Sequence, residues 1–336
     1  MILTSRTPLR VSLFGGGTDY PAYFERRPGA VVGFAIDKYI YISALRLSSS
    51  VDYRYRLSYS KVELVDDVAQ IQHPVVRVLL ERYRCLDAMD FSIQADLPAS
   101  AGLGSSSTFT VGFIALVSAL QGIARTKLEL AQEAIHAEQT LLGEAVGVQD
   151  QLHAAFGGIN RFDFRNGAPF AMQPIAIAPA ELRTLTAWMV LVYTGLKRRA
   201  SEVVAEQLRS TAARAIDADL SRLVALADAG QRILETERGE RLPRELARLL
   251  DESWQVKRRL SAKVSTGEID ALYARGCALG ALGGKLCGAG GGGFLLMIVP
   301  PERRAAFAAA LGARRCVDFA IDFAGATVTG APGSPR

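Results

Sequence analysis

The stretch LPASAGLGSSS, residues 97–107, is the part of the sequence that most strongly indicates the fold. It follows a short strand-like run, Phe91–Ala95, and precedes residues 106–120, whose dense apolar side chains predict a buried helix. Backbone N–H groups at a helix N-terminus form an anion site, because they point outward at the positive end of the helix dipole. The serine hydroxyls add donors and a hard oxygen ligand suitable for Mg²⁺. A buried helix that is merely capped by serine is the alternative, but one cap would suffice, so the stretch favours phosphate binding.

A second glycine cluster lies near the start of the chain, in RVSLFGGGTDY at residues 10–20. Glycine has no Cβ, so the backbone at Gly15–Gly17 can approach a ligand closely. Asp19 offers two acceptor oxygens suited to sugar hydroxyls. A tight strand-to-helix turn in which Asp19 caps the helix is the alternative interpretation.

A third cluster, KLCGAGGGG at residues 285–293, contains a literal GxGxxG. The dinucleotide-binding fingerprint follows a strand and opens a helix. Here we expect a helix before the glycines and the strand Phe294–Val299 after them. The order is reversed, which excludes a dinucleotide-binding protein of that kind. Four consecutive glycines weaken a buried strand unless a ligand or another backbone comes close. The sequence also lacks GxxxxGK[ST], which excludes a P-loop NTPase. It lacks the protein-kinase motifs VAIK, HRD and DFG, which excludes a protein kinase.

Composition narrows the possible classes of protein further. The 336 residues are 49% apolar and 22% charged, which is typical of a globular protein of about two domains. The four cysteines show no CxxC spacing, and no apolar run or signal-like start indicates a membrane or secretory segment. We therefore expect a soluble cytoplasmic protein. The net charge of +5 leaves open whether the arginines are solvated on helix faces or attract nucleic acid or a phosphorylated substrate.

Strands and helices alternate irregularly, which predicts an α+β fold rather than a doubly wound sheet. A domain boundary is expected within 165–185, although no flexible linker marks it. Predicted strands are 30–47, 53–59, 91–95, 159–164, 189–193, 294–299 and one near 317–323. Predicted helices are 74–83, 106–120, 126–142, several stretches between 201 and 282, and one that begins at Pro300-Pro301.

The three glycine stretches, in this order and spacing, resemble the GHMP kinase superfamily of galactokinase, homoserine kinase, mevalonate kinase and phosphomevalonate kinase. The resemblance covers essentially the whole chain. It implies a ribosomal-protein-like N-terminal domain over 1–175, a ferredoxin-like C-terminal domain over 176–336, and an active site between them. It also implies ATP and Mg²⁺ as cofactors and a small-molecule acceptor, with no nucleic-acid or membrane partner; a homodimer is the assembly considered.

Several further segments resemble the D-glycero-D-manno-heptose 7-phosphate kinases within this superfamily. They are TPLR at 7–10, GGGTDYP at 15–21, AIDKYIYIS at 35–43, HP at 73–74 and GVQDQLHAAFGG at 147–158. The resemblance implies phosphorylation of the anomeric hydroxyl of that heptose phosphate. An anomeric kinase for another sugar, such as fucose or galactose, is the first alternative. A non-catalytic ligand-sensing protein is another, and so is a nucleic-acid binder, which should show a basic stripe with interleaved aromatics.

The family's functional residues map onto this sequence as follows. Asp150 corresponds to the catalytic aspartate, and Arg10 to a basic residue beside the acceptor oxygen. Ser106 and Glu138, the latter 150 − 138 = 12 positions before Asp150, correspond to Mg²⁺ ligands. Nucleotide binding is expected from Pro98, Ser100, Gly102, Leu103, Gly104, Ser105, Ser106 and Ser107. Acceptor binding is expected from Gly15, Gly16, Gly17, Thr18, Asp19, Arg198, Gly290 and Gly291.

Phosphoryl transfer depends on positioning and charge neutralisation more than on covalent chemistry. We therefore expect Asp150, at the start of a predicted helix, to orient and polarise the acceptor hydroxyl, with the proton leaving late. The alternatives are an N-cap role for Asp150 and a solvated helix position for Glu138. Galactokinases carry Glu-His where this chain has Gly16-Gly17, which makes room for a larger acceptor. We expect Lys197–Arg199 to face the acceptor's own phosphate, unless they only begin a solvated helix.

Overall fold

The computed structural model describes residues 2–48, 50–85, 87–99, 101–167, 170–196 and 200–330. Two β-sheets organise this part of the chain, one of eight strands and one of four. All strand pairs are antiparallel except one. The predicted α+β fold is confirmed.

The larger sheet is formed mainly by the first half of the chain. Its long central strands are β1 (Ile2–Phe14) and β2 (Gly29–Arg46), and its other strands are β3 (Tyr55–Ser58), β4 (Val62–Val65), β5 (Met89–Ala95), β6 (Ile159–Phe164), β7 (Ala171–Pro174) and β12 (Thr327–Thr329). The spatial order is β12-β1-β2-β5-β3-β4, while β6 pairs with β2 and β7, and β3 runs parallel to β5. The register of β1 against β2 shifts at Pro8, which has no N–H to donate to a ladder.

Five helices accompany this sheet within the described residues. They are α1 (Pro21–Phe24), α2 (Pro74–Arg82), α3 (Ser105–Leu120), α4 (Lys127–His136) and α5 (Gln149–Phe156). Helix α3 is buried continuously from Ser107 to Ser118, as its apolar sequence predicts. A capping box between Thr126 and Glu129 begins α4, and the predicted continuation of this helix is a π-helical turn over Ala137–Leu141.

The smaller sheet contains β8 (Met189–Tyr193), β9 (Gly283–Leu286), β10 (Phe294–Ile298) and β11 (Cys316–Val317), in the order β11-β8-β10-β9. Helices α7 (Ala200–Ala212), α8 (Asp217–Thr236), α9 (Arg241–Arg258) and α10 (Gly267–Ala278) connect β8 to β9, and α11 (Pro301–Leu311) connects β10 to β11. This is the β-α-β-β-α-β succession of a ferredoxin-like unit. Helix α6 (Pro179–Trp188) leads into it.

Two expectations about the second half were wrong. The glycines at 288–293 follow strand β9 rather than a helix, so they form the turn of a β9–β10 hairpin. Strand β9 reads GGKL, which has little intrinsic strand preference, and it forms because it pairs with β10 and packs under α9. The strand expected near 317–323 is limited to Cys316–Val317, with a single bridge from Ile36 to Ile321 beyond it.

The proposed domain division at residues 175 and 176 stays a prediction. Strands of the larger sheet continue to Pro174, and the smaller sheet begins at Met189. The chain then returns, because Thr329 of β12 pairs with Thr4 of β1.

Candidate active site

A cavity of about 520 Å³ lies where the two halves of the molecule meet. Its walls come from the end of β1 and the loop after it, the N-termini of α3 and α5, helices α7 to α9, and the β9–β10 turn. All three glycine stretches therefore contribute to one cavity.

Arg10 and Asp150 form a bidentate ion pair in this cavity. Arg10 Nε donates to Asp150 Oδ1 and Nη2 to Oδ2, each at 2.8 Å, and Nη1 donates to the Gly102 carbonyl at 2.7 Å. Arg10 is 3% exposed, whereas the Asp150 side chain is 24% exposed and can be reached from the cavity. Asp150 lies in the first turn of α5, whose N-cap is Val148, so it is not the cap. Two parallel hydrogen bonds fix the plane of the carboxylate.

Asp19 is the second carboxylate of the cavity. It is 1% exposed, and it accepts hydrogen bonds from the backbone N–H of Gly17 at 2.9 Å and of Gln149 at 3.3 Å. Burial raises the pKa of Asp19, and the charge of Asp150 raises it further. The cap of α1 is Tyr20, so Asp19 is not a helix cap either. The structure thus brings Asp19 and Asp150 together, as the sequence predicted.

The loop before α3 forms the wall next to Arg10. Gly104, at φ +76°, is the N-cap of α3 and provides no capping side chain, so the helix N-terminus opens toward the cavity. A Cβ on Gly104 would lie 3.2 Å from both Arg10 Cγ and Asp150 Oδ2. The lining residues from this loop are Gly102, Gly104, Ser105, Ser106 and Ser107.

The other residues predicted for nucleotide binding lie elsewhere. Leu103 has a fully buried side chain, and its carbonyl accepts from the Arg10 backbone N–H at 3.1 Å. Pro98 is exposed and does not line the cavity. Ser100 lies outside the described residues.

Glu138 lies behind this wall rather than on it. It is fully buried and accepts hydrogen bonds from Ser107 Oγ at 2.8 Å, Thr110 Oγ1 at 2.6 Å and Gln151 Nε2. Burial raises the pKa of Glu138 to about 7. The alternative of a solvated helix position is wrong. Glu144, which sequence reasoning missed, is a carboxylate that does line the cavity.

Six of the eight residues predicted for acceptor binding divide into two groups. Gly16, Gly17, Asp19 and Gly290 line the cavity. Gly15 and Thr18 instead hold the turn: a Cβ on Gly15 would lie 1.8 Å from the Ala30 carbonyl oxygen, and Thr18 Oγ1 donates to the Gly15 carbonyl at 2.8 Å.

The other two residues predicted for acceptor binding are Gly291 and Arg198, and neither is on the described cavity wall. Gly291 donates its backbone N–H to Val264 at 2.9 Å and is not on the wall. Arg198, with its neighbours Lys197 and Arg199, lies outside the described residues.

Two buried lysines complete the cavity, and sequence reasoning assigned them no role. Lys285 Nζ donates to the Leu13 carbonyl at 2.7 Å; Lys257 Nζ donates to the carbonyls of Leu286, at 2.9 Å, and Gly288. Burial lowers the pKa of Lys285 to about 8 and that of Lys257 well below its usual value. Lys285 belongs to the third glycine stretch and could have been noticed there. Lys257 is the first residue of KRR, which resembles a solvated cluster.

Comparison with known proteins supports the resemblance to the GHMP kinases that the sequence indicates. The GHMP kinases N terminal domain matches residues 64–158, and the GHMP kinases C terminal domain matches 237–318. A D-glycero-alpha-D-manno-heptose 7-phosphate kinase of Campylobacter jejuni is 28% identical over 309 residues, 86% of each chain. A galactokinase of Pyrococcus furiosus is 27% identical over 317 residues, also 86% of each chain.

A solved structure extends the likeness to the fold. The crystal structure of a D-glycero-D-manno-heptose 1-phosphate kinase from Bacteroides thetaiotaomicron superposes with a TM-score of 0.77 at 23% identity, covering 98% of this chain and 99% of that one. Among the described residues, no helix is long and apolar enough to cross a membrane. The two family matches, the shared fold and the cavity built from the three glycine stretches establish that this chain belongs to the GHMP kinases, a family of ATP-dependent kinases of small molecules.

Proposed function

We propose that this chain transfers the γ-phosphoryl group of ATP to the anomeric hydroxyl of D-glycero-D-manno-heptose 7-phosphate. The product would be the 1,7-bisphosphate, a precursor of nucleotide-activated heptose. The observation that carries the proposal is one cavity with Asp19 and Asp150 beside the open N-terminus of α3. The Campylobacter relative supports the choice of acceptor.

The donor side of the reaction lies at α3. Its open N-terminus and the hydroxyl of Ser106 suit the phosphates of a nucleotide, since both can donate hydrogen bonds to an anion. Ser106, on the wall, and Glu138, bonded to the neighbouring Ser107, are oxygen ligands of the kind that Mg²⁺ takes. Ser106 and Glu138 would hold the metal, Ser106 from the cavity wall and Glu138 from behind it, next to Ser107. When bound, Mg²⁺ neutralises charge on the phosphate oxygens.

The acceptor side lies at the two carboxylates. Asp150 accepts a hydrogen bond from the reacting hydroxyl and orients its oxygen, while Arg10 holds the carboxylate in place. Asp19 accepts hydrogen bonds from other hydroxyls of the sugar. The proton of the reacting hydroxyl leaves late, because a loose phosphoryl-transfer transition state forms little bond to the attacking oxygen. Gly16 and Gly17 line the cavity without side chains, which leaves room for a large sugar.

A coupled assay with several acceptors tests the proposal. The candidates are heptose 7-phosphate, fucose, mannose and galactose, each with MgATP, and phosphorus NMR identifies the product. We expect turnover with the heptose phosphate and a new phosphate on its anomeric carbon. Faster turnover with a free sugar would identify a different anomeric kinase, and no turnover with any of them would favour a ligand-sensing protein.

A cytoplasmic location, the absence of nucleic-acid and membrane partners, and a homodimer stay predictions.

A further inference from the structure

The wall of the cavity formed by α7 and α9 contains hydrogen-bond donors that have nothing to bind. Ser253 and Lys257 lie one turn apart on α9, and Gln207 lies on α7; all three line the cavity and are buried. In the part of the chain that the structure describes, Ser253 Oγ and Gln207 Nε2 are buried without a hydrogen-bond partner. A buried polar group without a partner is costly, so native proteins keep few of them.

Lys257 adds a positive charge to the same wall. Its ammonium group has three N–H donors, and two of them bond to the carbonyls of Leu286 and Gly288. Neither Lys257 nor the nearby Lys285 pairs with a carboxylate among the described residues. Burial without a counter-ion disfavours the charged form of both lysines and lowers their pKa values, and an anion bound on this wall would favour the charged form.

The position of the wall identifies which anion it suits. Gln207 lies against the first glycine stretch, because a Cβ on Gly17 would come within 2.8 Å of its Nε2. The first glycine stretch also positions Asp19, which we assign to the sugar. The nucleotide phosphates, in contrast, face the N-terminus of α3. An anion held by Gln207 would therefore belong to the acceptor. Lys257 lies between this end and the nucleotide loop, because its Nζ bonds to the carbonyl of Gly288, which packs against Gly102.

We propose that Lys257, Ser253 and Gln207 bind the acceptor's own phosphate, the group that is not transferred. The inference rests on the proposed function, because it assumes that a sugar phosphate is the acceptor. It assigns to described residues the role that the sequence suggested for Lys197–Arg199. A free sugar would leave Ser253 Oγ and Gln207 Nε2 unpaired and Lys257 without an anion, so the same wall would select against unphosphorylated acceptors.

Steady-state kinetics of three variants test the proposal. Ser253→Ala and Gln207→Leu remove donors that have no partner in the structure, so we expect both to fold normally. Each should raise the KM for heptose 7-phosphate about tenfold, which corresponds to one hydrogen bond to a charged group. Lys257→Met should raise it further, about a hundredfold, because it also removes the charge. The KM for ATP should change less than about twofold.

Lys263→Met provides the matched control. Lys263 follows α9, is 46% exposed and pairs with Glu206 at 3.9 Å outside the cavity, so its loss should leave both KM values unchanged. An unchanged acceptor KM in Ser253→Ala and Gln207→Leu would overturn the proposal. A larger effect on the KM for ATP than on that for the acceptor would also overturn it, since it would place the nucleotide on this wall.

Inorganic phosphate separates a failure of this subsite from a failure of the proposed function. In kinetics, we expect phosphate to compete with the acceptor but not with ATP. In calorimetry with saturating MgADP, phosphate should bind the wild type and Lys263→Met equally, Ser253→Ala about tenfold more weakly and Lys257→Met about a hundredfold more weakly. This second readout needs no turnover, so it judges the subsite even if no heptose phosphate is phosphorylated. Equal phosphate binding by all four proteins would refute the subsite while leaving the kinase proposal intact.

Discussion

The two sides of the cavity differ in how their polar groups are bonded. On the carboxylate side, Asp150 is held by Arg10 and Asp19 by two backbone N–H groups. On the α7–α9 wall, Ser253 Oγ and Gln207 Nε2 have no partner among the described residues, and Lys257 has no carboxylate. The carboxylate side is therefore already ordered before any ligand binds, while the opposite wall still needs an anion.

This difference separates positioning from selection. Groups that are bonded in advance lose little entropy when the reaction begins, so they suit the hydroxyl that must be aimed at a phosphorus atom. Donors that are unbonded gain most when the correct ligand arrives, so they suit discrimination between acceptors. Changes on the carboxylate side should therefore lower kcat, and changes on the α7–α9 wall should raise KM.

The strongest test of this separation is Asp150→Asn. The substitution keeps the shape but replaces the charged acceptor of the hydroxyl hydrogen bond, so kcat should fall about 10³-fold with the acceptor KM within about threefold. Asp228→Asn is the matched control, because Asp228 pairs with Arg161 outside the cavity. Thermal unfolding of both variants checks the fold, since Arg10 loses its buried partner. A rise in KM with an unchanged kcat would mean that Asp150 only binds the acceptor.

A second test addresses the point where the two halves of the molecule touch. Gly102 and Gly122 both have a positive φ, +76° and +70°, but a Cβ on Gly102 would lie 2.5 Å from the Cys287 carbonyl oxygen, whereas Gly122 faces open space. Gly122→Ala should lower the free energy of unfolding by about 1 kcal/mol through backbone strain alone. Gly102→Ala should lower it by about 3 kcal/mol, because a backbone must also move.

Urea denaturation measures the two alanine variants side by side. Gly102→Ala should also lower kcat, since Gly102 accepts a hydrogen bond from Arg10. Equal losses of stability would show that the contact between the second and third glycine stretches contributes little.

The sequence predicted features that depend on local pattern. The apolar run of α3, the capping box at Thr126 and the three glycine stretches are each recognisable within a few residues, and together they identified the family and the carboxylate pair. Because glycine has no side chain, a cluster of glycines indicates that another group comes close to the backbone there. The cluster does not identify that group.

Features that depend on the packing of distant segments could not be predicted in this way. Lys257 belongs to the charged run KRR, and only the packing of α9 against β9 shows that it faces inward while Arg258 and Arg259 face solvent. For the third glycine stretch the sequence left open whether a ligand or another backbone comes close, and Gly288 and Gly293 pack against the backbone of residues 101–102. Thr18 likewise appeared to be a ligand-binding residue and is a turn residue.

Acidification should lower the free energy of unfolding through His153, which lies three residues after Asp150 on α5. Burial lowers the pKa of His153 to about 4, whereas an unfolded histidine titrates near 6.5. Between these values the unfolded chain binds more protons, so stability is lost as the pH falls. From pH 7 to pH 5 the loss due to His153 should be about 2 kcal/mol.

The measurement compares urea unfolding of wild type and His153→Gln at pH 5, 6 and 7. The raised pKa values of Asp19 and Glu138 act in the opposite direction, so the difference between the two proteins isolates the histidine. His136→Gln is the control, because His136 is only partly buried. Parallel pH profiles for wild type and His153→Gln would show that His153 does not titrate in this way.

The smallest effect we predict comes from Ser106, which lies on the cavity wall while Ser107 bonds to the buried Glu138. Ser106→Ala should raise the Mg²⁺ concentration for half-maximal rate about tenfold, because one oxygen ligand among several is replaced by water. Binding of Mg²⁺ with ADP, measured by calorimetry, should weaken equally, and Ser92→Ala on β5 should change neither. If Ser106→Ala instead raised the KM for the acceptor, the metal would not lie at this wall, and the donor and acceptor ends of the cavity would have to be exchanged.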